Sequence, residues 1–172
     1  MHVMTRITEQ SVKATIPTEA VYAHCDIPCG IYDPHEAQIA ALTVLRMVQL
    51  AQELKEPGPT SKPEERIAYQ TKLARLTATK EAHAERVKHE VRVIAGDYFT
   101  ADLMKQFPET IELTMKILKQ ASKARQEFST ESANDLLASV QLFAELFWKT
   151  KNVATKRTPS HQKSGGELVV PA

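Results

Sequence analysis

Ser129-Thr130-Glu131-Ser132-Ala133-Asn134-Asp135-Leu136-Leu137-Ala138-Ser139-Val140-Gln141-Leu142-Phe143-Ala144-Glu145-Leu146-Phe147-Trp148 reads as one amphipathic helix. Leu136, Val140, Phe143 and Phe147 recur at steps of four, three and four residues. A helix turns once per 3.6 residues, so these side chains share one face. Leu137, Ala144 and Trp148 widen that stripe, and Phe128-Ser129-Thr130 marks a turn and cap in front of it.

The same reading extends upstream. Pro108 opens a third helix, on which Ile111, Met115, Leu118 and Ser122 share a face beside Ile117 and Ala121. Before it, Ser61 and Pro63 start a long helix toward Val93. Its first half is highly charged around Ile67 and Leu73, and its second half carries Val87, Val91 and Ile94. Its Lys and Arg residues read as a solvated face with i,i+4 pairs to Glu. Gly96-Asp97-Tyr98-Phe99 interrupts the pattern, and a short irregular connection follows. The first helix has Asp33 as N-cap, Pro34 at its first position, and Ile39, Leu42, Leu45, Val48 and Leu54 on one face. Pro57-Gly58-Pro59 ends it. Four amphipathic helices with short connections predict an all-α protein, an antiparallel four-helix bundle. From Lys156 onward, Pro159, Gly165 and Gly166 among polar residues predict a disordered C-terminal tail, residues 156–172.

Composition agrees with a helical fold. The 172 residues are 42% hydrophobic and 25% charged, but only 6% aromatic, with 5 Gly. The net charge of +1 gives no strong pull toward nucleic acid or a membrane surface. No apolar run approaches the roughly 20 residues that span a bilayer. Length fits one domain of ordinary size.

The two cysteines are Cys25 and Cys29. A disulfide across so short a loop would stabilise little, so metal binding or redox chemistry is the better expectation. Residues 1–23 lack the apolar segment of a secretory signal; composition alone fits a disordered N-terminal tail, while Ala20-Val21-Tyr22-Ala23, small enough for a protease, fits the end of a leader. A cut before His24 would free its amine. That amine and the Cys25 backbone nitrogen would close a five-membered chelate ring on one metal, and the Cys25 thiolate would close a second. Cys29 would return a second thiolate across a loop stiffened by Pro28. The His24 imidazole would add an axial nitrogen. A planar set of two nitrogens and two sulfurs selects Ni(II) or Cu(II) over tetrahedral zinc.

His24-Cys25-Asp26-Ile27-Pro28-Cys29-Gly30-Ile31-Tyr32-Asp33-Pro34 resembles the nickel hook of the nickel superoxide dismutases, whose pattern is His-Cys-Asp-x-Pro-Cys-Gly-x-Tyr-Asp-Pro. Lys80-Glu81, Ala84-Glu85, Lys88-His89, Asp97-Tyr98-Phe99, Phe107-Pro108-Glu109 and Phe147-Trp148-Lys149-Thr150-Lys151 are similar to further family segments. The resemblance runs from His24 to about Asn152. It implies a precursor whose leader is removed by a dedicated protease, a domain over residues 24–155 with a hook at 24–32, and a cytoplasmic homohexamer with one nickel per subunit. It implies dismutation of superoxide to oxygen and hydrogen peroxide by a Ni(III)/Ni(II) cycle. Position by position, the ligands would be His24 (amine and imidazole), Cys25 (amide nitrogen and thiolate) and Cys29 (thiolate). Tyr32 and Tyr98 would flank the open side of the nickel, and Asp26 would border the same pocket.

Three positions depart from the family. A glutamate on the first helix and an arginine on the second are replaced together, at Ala40 and His83, so no charge is left unpaired. A lysine after the Tyr-Phe pair is replaced by Thr100. Either His83 or a backbone carbonyl would then orient the axial imidazole. His35 and His89 read as surface helix residues. Two rival readings use the same residues: a hook that stores or senses nickel or copper without turnover, and a thiol switch built on Cys25 and Cys29.

Overall fold

Local capping sets where each helix starts. Helix α1 spans His35–Gln52. The Asp33 carboxylate accepts from the His35 backbone N–H at 2.8 Å, satisfying one of the donors a helix start leaves open. Helix α2 spans Pro63–Val93, with proline in its first turn and Glu65 accepting from the Lys62 backbone N–H at 3.2 Å. The structure is a computed structural model and describes residues 29–172. The leader assigned to residues 1–23 lies outside the described residues.

Helix α2 ends in a π-helical turn, Ile94–Tyr98, closed by the Phe99 N–H on the Ile94 carbonyl at 3.3 Å. The connection that follows is not irregular. It forms a short helix α3, Ala101–Gln106, capped by Thr100, whose hydroxyl accepts from Leu103 N–H. Helices α4 (Glu109–Gln126) and α5 (Thr130–Thr150) complete the main-chain frame, and Ser129 caps α5 at 3.1 Å from Ser132 N–H.

The four long helices close a ring: α1 packs on α2 and α5, and α4 packs on the same two. Fully buried Leu42, Val44 and Val48 meet Val87, Val91, Ile117, Leu136, Val140, Phe143 and Phe147 in one core. Each large aliphatic or aromatic side chain so buried contributes roughly 2–3 kcal/mol. Ala41, Ala84, Ala121 and Ala133 are also fully buried, and their small size lets the helices approach closely. The Ile111–Met115 edge of α4 does not serve the core; these residues are 57% and 50% exposed. The buried stripe of α4 is Thr110, Ile117, Ala121 and Ala124.

Lys80 departs from the solvated face expected of α2. It is 1% exposed, and its ammonium donates to the Ala124, Arg125 and Glu127 carbonyls at 2.8, 2.9 and 2.6 Å. It stands 4.3 Å from the Phe128 ring centroid. These carbonyls end α4 and have no partner within the helix, so the lysine caps α4 from a neighbouring helix. Burial pushes the Lys80 pKa down, while Glu81 and Glu127 oppose that shift. Arg86 and Glu90 do form the expected i,i+4 pair, at 3.1 Å.

The tail is the largest departure from expectation. Residues 156–172 are not disordered: strand β1, Thr155–Pro159, pairs antiparallel with β2, Glu167–Pro171, with Arg157 opposite Val169. The hairpin lies on α1 and α5. Gln38 is 1% exposed, and its carboxamide matches the Val169 backbone in both directions: Nε2 donates to Val169 O at 3.0 Å, and Oε1 accepts from Val169 N–H at 2.7 Å. Gln141 donates to Glu167 O at 2.7 Å and Gln49 to Ser164 O at 3.1 Å. Side-chain amides thus take the role of a third strand. Gly166, at φ 78°, lies against the helices; a Cβ there would stand 3.0 Å from Leu42 Cδ2 and 3.2 Å from Leu137 Cδ2. The polar tail orders because the helices supply both an apolar floor and hydrogen-bond partners.

Candidate metal centre

Cys29, Gly30 and Ile31 lead into Tyr32, just ahead of α1. Cys29 is exposed, and Ile31 is 73% exposed. Gly30 has φ 71°, a left-handed backbone that glycine adopts without steric cost. His24, Cys25 and Asp26 lie outside the described residues. Among the described residues, no group of three or more His, Cys, Asp or Glu side chains is placed to hold a metal.

Tyr32 and Tyr98 meet at the base of this segment. Their ring centroids are 5.7 Å apart, inclined at 54°. Sequence places them 66 residues apart, 98 less 32; the π-helical turn at the end of α2 carries Tyr98 to the pair. Such turns insert one extra residue in a helix and re-aim the side chains beyond it. Tyr98 also packs on Phe99 at 5.2 Å and on Phe147 at 4.8 Å. Its hydroxyl lies 2.7 Å from Thr150 Oγ1. Thr150 has a single hydroxyl proton, which it donates to the Phe147 carbonyl at 2.6 Å. Tyr98 must therefore be the donor of the pair, and its own proton points into the fold.

Ala40 and His83 line one cavity of about 340 Å³ between α1 and α2, with Glu36, Ile39, Ala82 and Arg86. His83 Nδ1 lies 2.9 Å from the Thr79 carbonyl. A carbonyl only accepts, so Nδ1 carries a proton and Nε2 is left as acceptor in the neutral ring. Arg86 binds Glu36 across this space, and its pKa is raised by that hydrogen bond. The Glu36–Arg86 pair was not foreseen; its partners stand 50 residues apart. Lys151 was also missed as a site residue. It follows α5 and lies over Tyr98, Phe147 and Trp148, with its ammonium 5.3, 4.8 and 5.8 Å from their centroids. A Phe-Trp pair shortly before a lysine was the available signal. His35 and His89 enter none of this arrangement.

A family model described as nickel-containing superoxide dismutase matches residues 19–151. The chain belongs to this family. A protein named superoxide dismutase [Ni] from Streptomyces coelicolor is 33% identical over 138 residues, covering 78% of this chain and 93% of that protein. One of the same name from Streptomyces seoulensis is 30% identical over the same coverage. A native nickel superoxide dismutase structure aligns with a TM-score of 0.63 at 32% identity. It covers 74% of this chain and 99% of that one. A structure of the enzyme with nickel ligation of the oxidised state gives 0.64 at 29% identity, again with 99% of that chain covered. The family match stops at residue 151, before the C-terminal hairpin. No helix among the described residues is long and apolar enough to cross a membrane.

Proposed function

We propose that the mature chain is a nickel superoxide dismutase with the hook ligands read from sequence: His24, Cys25 and Cys29. The observation that carries this is the intact hook motif running directly into Tyr32, in a chain that belongs to the family. The donor set fits nickel. Two thiolates, an amine and a deprotonated amide are planar, strong donors, and the described residues offer no competing cluster. Bound nickel supplies one-electron chemistry, alternating between Ni(III) and Ni(II), so that two superoxide ions and two protons give oxygen and hydrogen peroxide.

The protein's own residues then have separate tasks. Tyr32 and Tyr98 narrow the approach to the hook. Because Tyr98 donates inward to Thr150, its oxygen turns a lone pair outward, suited to accept from water or a protonated product. Asp26 would border the same pocket, as the likeness of the hook motif implies. His83, whose Nε2 can accept when Nδ1 carries the proton, is the group that would steady the His24 imidazole in place of the charged pair replaced at Ala40 and His83.

The finer family traits belong to the same proposal: an antiparallel four-helix bundle, one nickel per subunit, a homohexamer, a cytoplasmic location, and a leader, residues 1–23, removed by a protease. The described helix pairings support the bundle: Gln52 reaches Thr130, joining the end of α1 to the start of α5. Lys80 reaches the Ala124 carbonyl and Lys88 the Ser122 hydroxyl, so α4 runs back along the second half of α2.

The test compares the full chain with a chain beginning at His24, each loaded with nickel. Metal content and superoxide consumption are measured together. One nickel per chain and turnover only in the shortened form would support the reading. Tight nickel binding without turnover would replace it with storage or sensing.

A further inference from the structure

We infer that Lys151 is the cation that draws the superoxide anion toward the Tyr32–Tyr98 pair, a role that rests on the dismutase reading. Three observations on this residue combine. Its ammonium is held at fixed distances from three rings, 5.3 Å from Tyr98, 4.8 Å from Phe147 and 5.8 Å from Trp148. Aromatic faces hold a cation without neutralising it. No carboxylate among the described residues forms an ion pair with it, whereas Lys88, Lys105 and Lys123 each have one. Lys151 is half-buried, so its field reaches solvent from a low-dielectric wall.

The neighbouring cations do other work. Lys149, which lies over Phe107 at 5.4 Å, sits on the side of α5 that faces α4 beside Glu109 and Glu145. Lys105 is spent on Asp102 at 3.0 Å. Position 100, next to Phe99, carries a neutral threonine whose hydroxyl caps α3. Among the described residues, Lys151 therefore supplies the positive charge without an ion-pair partner at Tyr98, from the end of α5 rather than from the residue after Tyr98-Phe99. It acts on the approach of the anion and does not touch the reacting atoms, so it is a positioning residue.

Trp148 gives a readout that needs no metal. It is the single tryptophan among 172 residues and lies next to the Lys151 ammonium. Its fluorescence in the metal-free full chain is quenched by iodide, a monovalent anion, and by neutral acrylamide, both at low ionic strength. Lys151→Gln should lower the iodide quenching constant about two-fold, a unit charge acting across roughly 10 Å of mostly aqueous medium, and leave acrylamide quenching unchanged. Lys151→Arg should restore iodide quenching, and high salt should erase the difference. In the nickel-loaded enzyme, kcat/KM for superoxide should fall by a similar factor at low salt, with nickel content unchanged.

Equal iodide quenching in the wild type and Lys151→Gln would overturn the inference. So would a parallel drop with acrylamide, which would show lost packing instead of lost charge. If iodide responds as expected but the nickel-loaded wild type consumes no superoxide, the dismutase reading fails while Lys151 remains an anion-attracting residue.

Discussion

Replacing Lys80 by methionine should destabilise the protein by about 3–5 kcal/mol. Methionine keeps most of the apolar stem and removes the ammonium, so packing changes little and the cap is lost. Three carbonyls, those of Ala124, Arg125 and Glu127, then lose their shared donor. A hydrogen bond to a charged group contributes roughly 1.5–3 kcal/mol, and an orphaned buried carbonyl costs about 1–3 kcal/mol. Contact with the Phe128 ring adds about 1 kcal/mol. Summed naively these exceed the expected loss. The difference is the desolvation of the ammonium, which methionine no longer requires. Water can also reach the Glu127 end of the helix. The assay is urea unfolding near neutral pH, followed by helical circular dichroism. The midpoint should fall with the m-value unchanged, and the Tm should drop by about 10 °C, given 2–4 °C per kcal/mol for a domain of this size. A loss below about 1 kcal/mol would refute the reasoning. It would mean that α4 finishes equally well with water on its last carbonyls.

Other changes test the remaining contacts. Gln38→Leu removes both hydrogen bonds to the Val169 backbone, and should cost about 2–4 kcal/mol and speed amide exchange at Val169 while leaving exchange in α2 unchanged. Glu85 has its pKa lowered below 4.5: burial alone would raise it, but Arg92, Lys88 and Arg125 outweigh burial. A carboxylate depressed in the folded state stabilises above its unfolded pKa and loses that contribution as pH falls through the folded value. Thermal stability should therefore decline from about pH 5 downward, and Glu85→Gln should flatten that decline. His83→Ala should alter the nickel spectrum and turnover of the loaded enzyme; identical spectra would assign the orienting of the His24 imidazole to a backbone carbonyl instead.

How much was legible in the sequence depended on how local each signal was. Pro63 marked the start of α2, because proline acts on its own backbone, whereas α1 stops at Gln52, before Leu54 and before the Pro57-Gly58-Pro59 break expected to end it. Ser129 and the stripe around Phe143 fixed α5 in the same way. The hook motif stands out in the sequence because its candidate ligands His24, Cys25 and Cys29 and its proline lie within six residues. The hairpin was not. Its strands are polar and interrupted by Pro159, Gly165 and Gly166, and what orders them is Gln38, 131 residues away from Val169. Lys80 read as one more charge on a charged helix, since nothing in its neighbourhood announces that α4 ends beside it. Short α3 escaped for a related reason: six residues give too few turns for a periodic signal.

The bond between Gln38 and Val169 has a consequence in time as well as in space. A chain is made from its N-terminus, and its early segments fold first where they can. Here α1, at the N-terminal side of the bundle, is fastened by a strand whose Val169 lies 131 residues further along the chain. Closing so long a loop is the kind of contact that forms late, because its entropy cost precedes its reward. Helix α1 therefore reaches its final constraint only once β2 has been made and has paired with Gln38. Any step that needs a settled α1 is placed after the hairpin has emerged and closed on it.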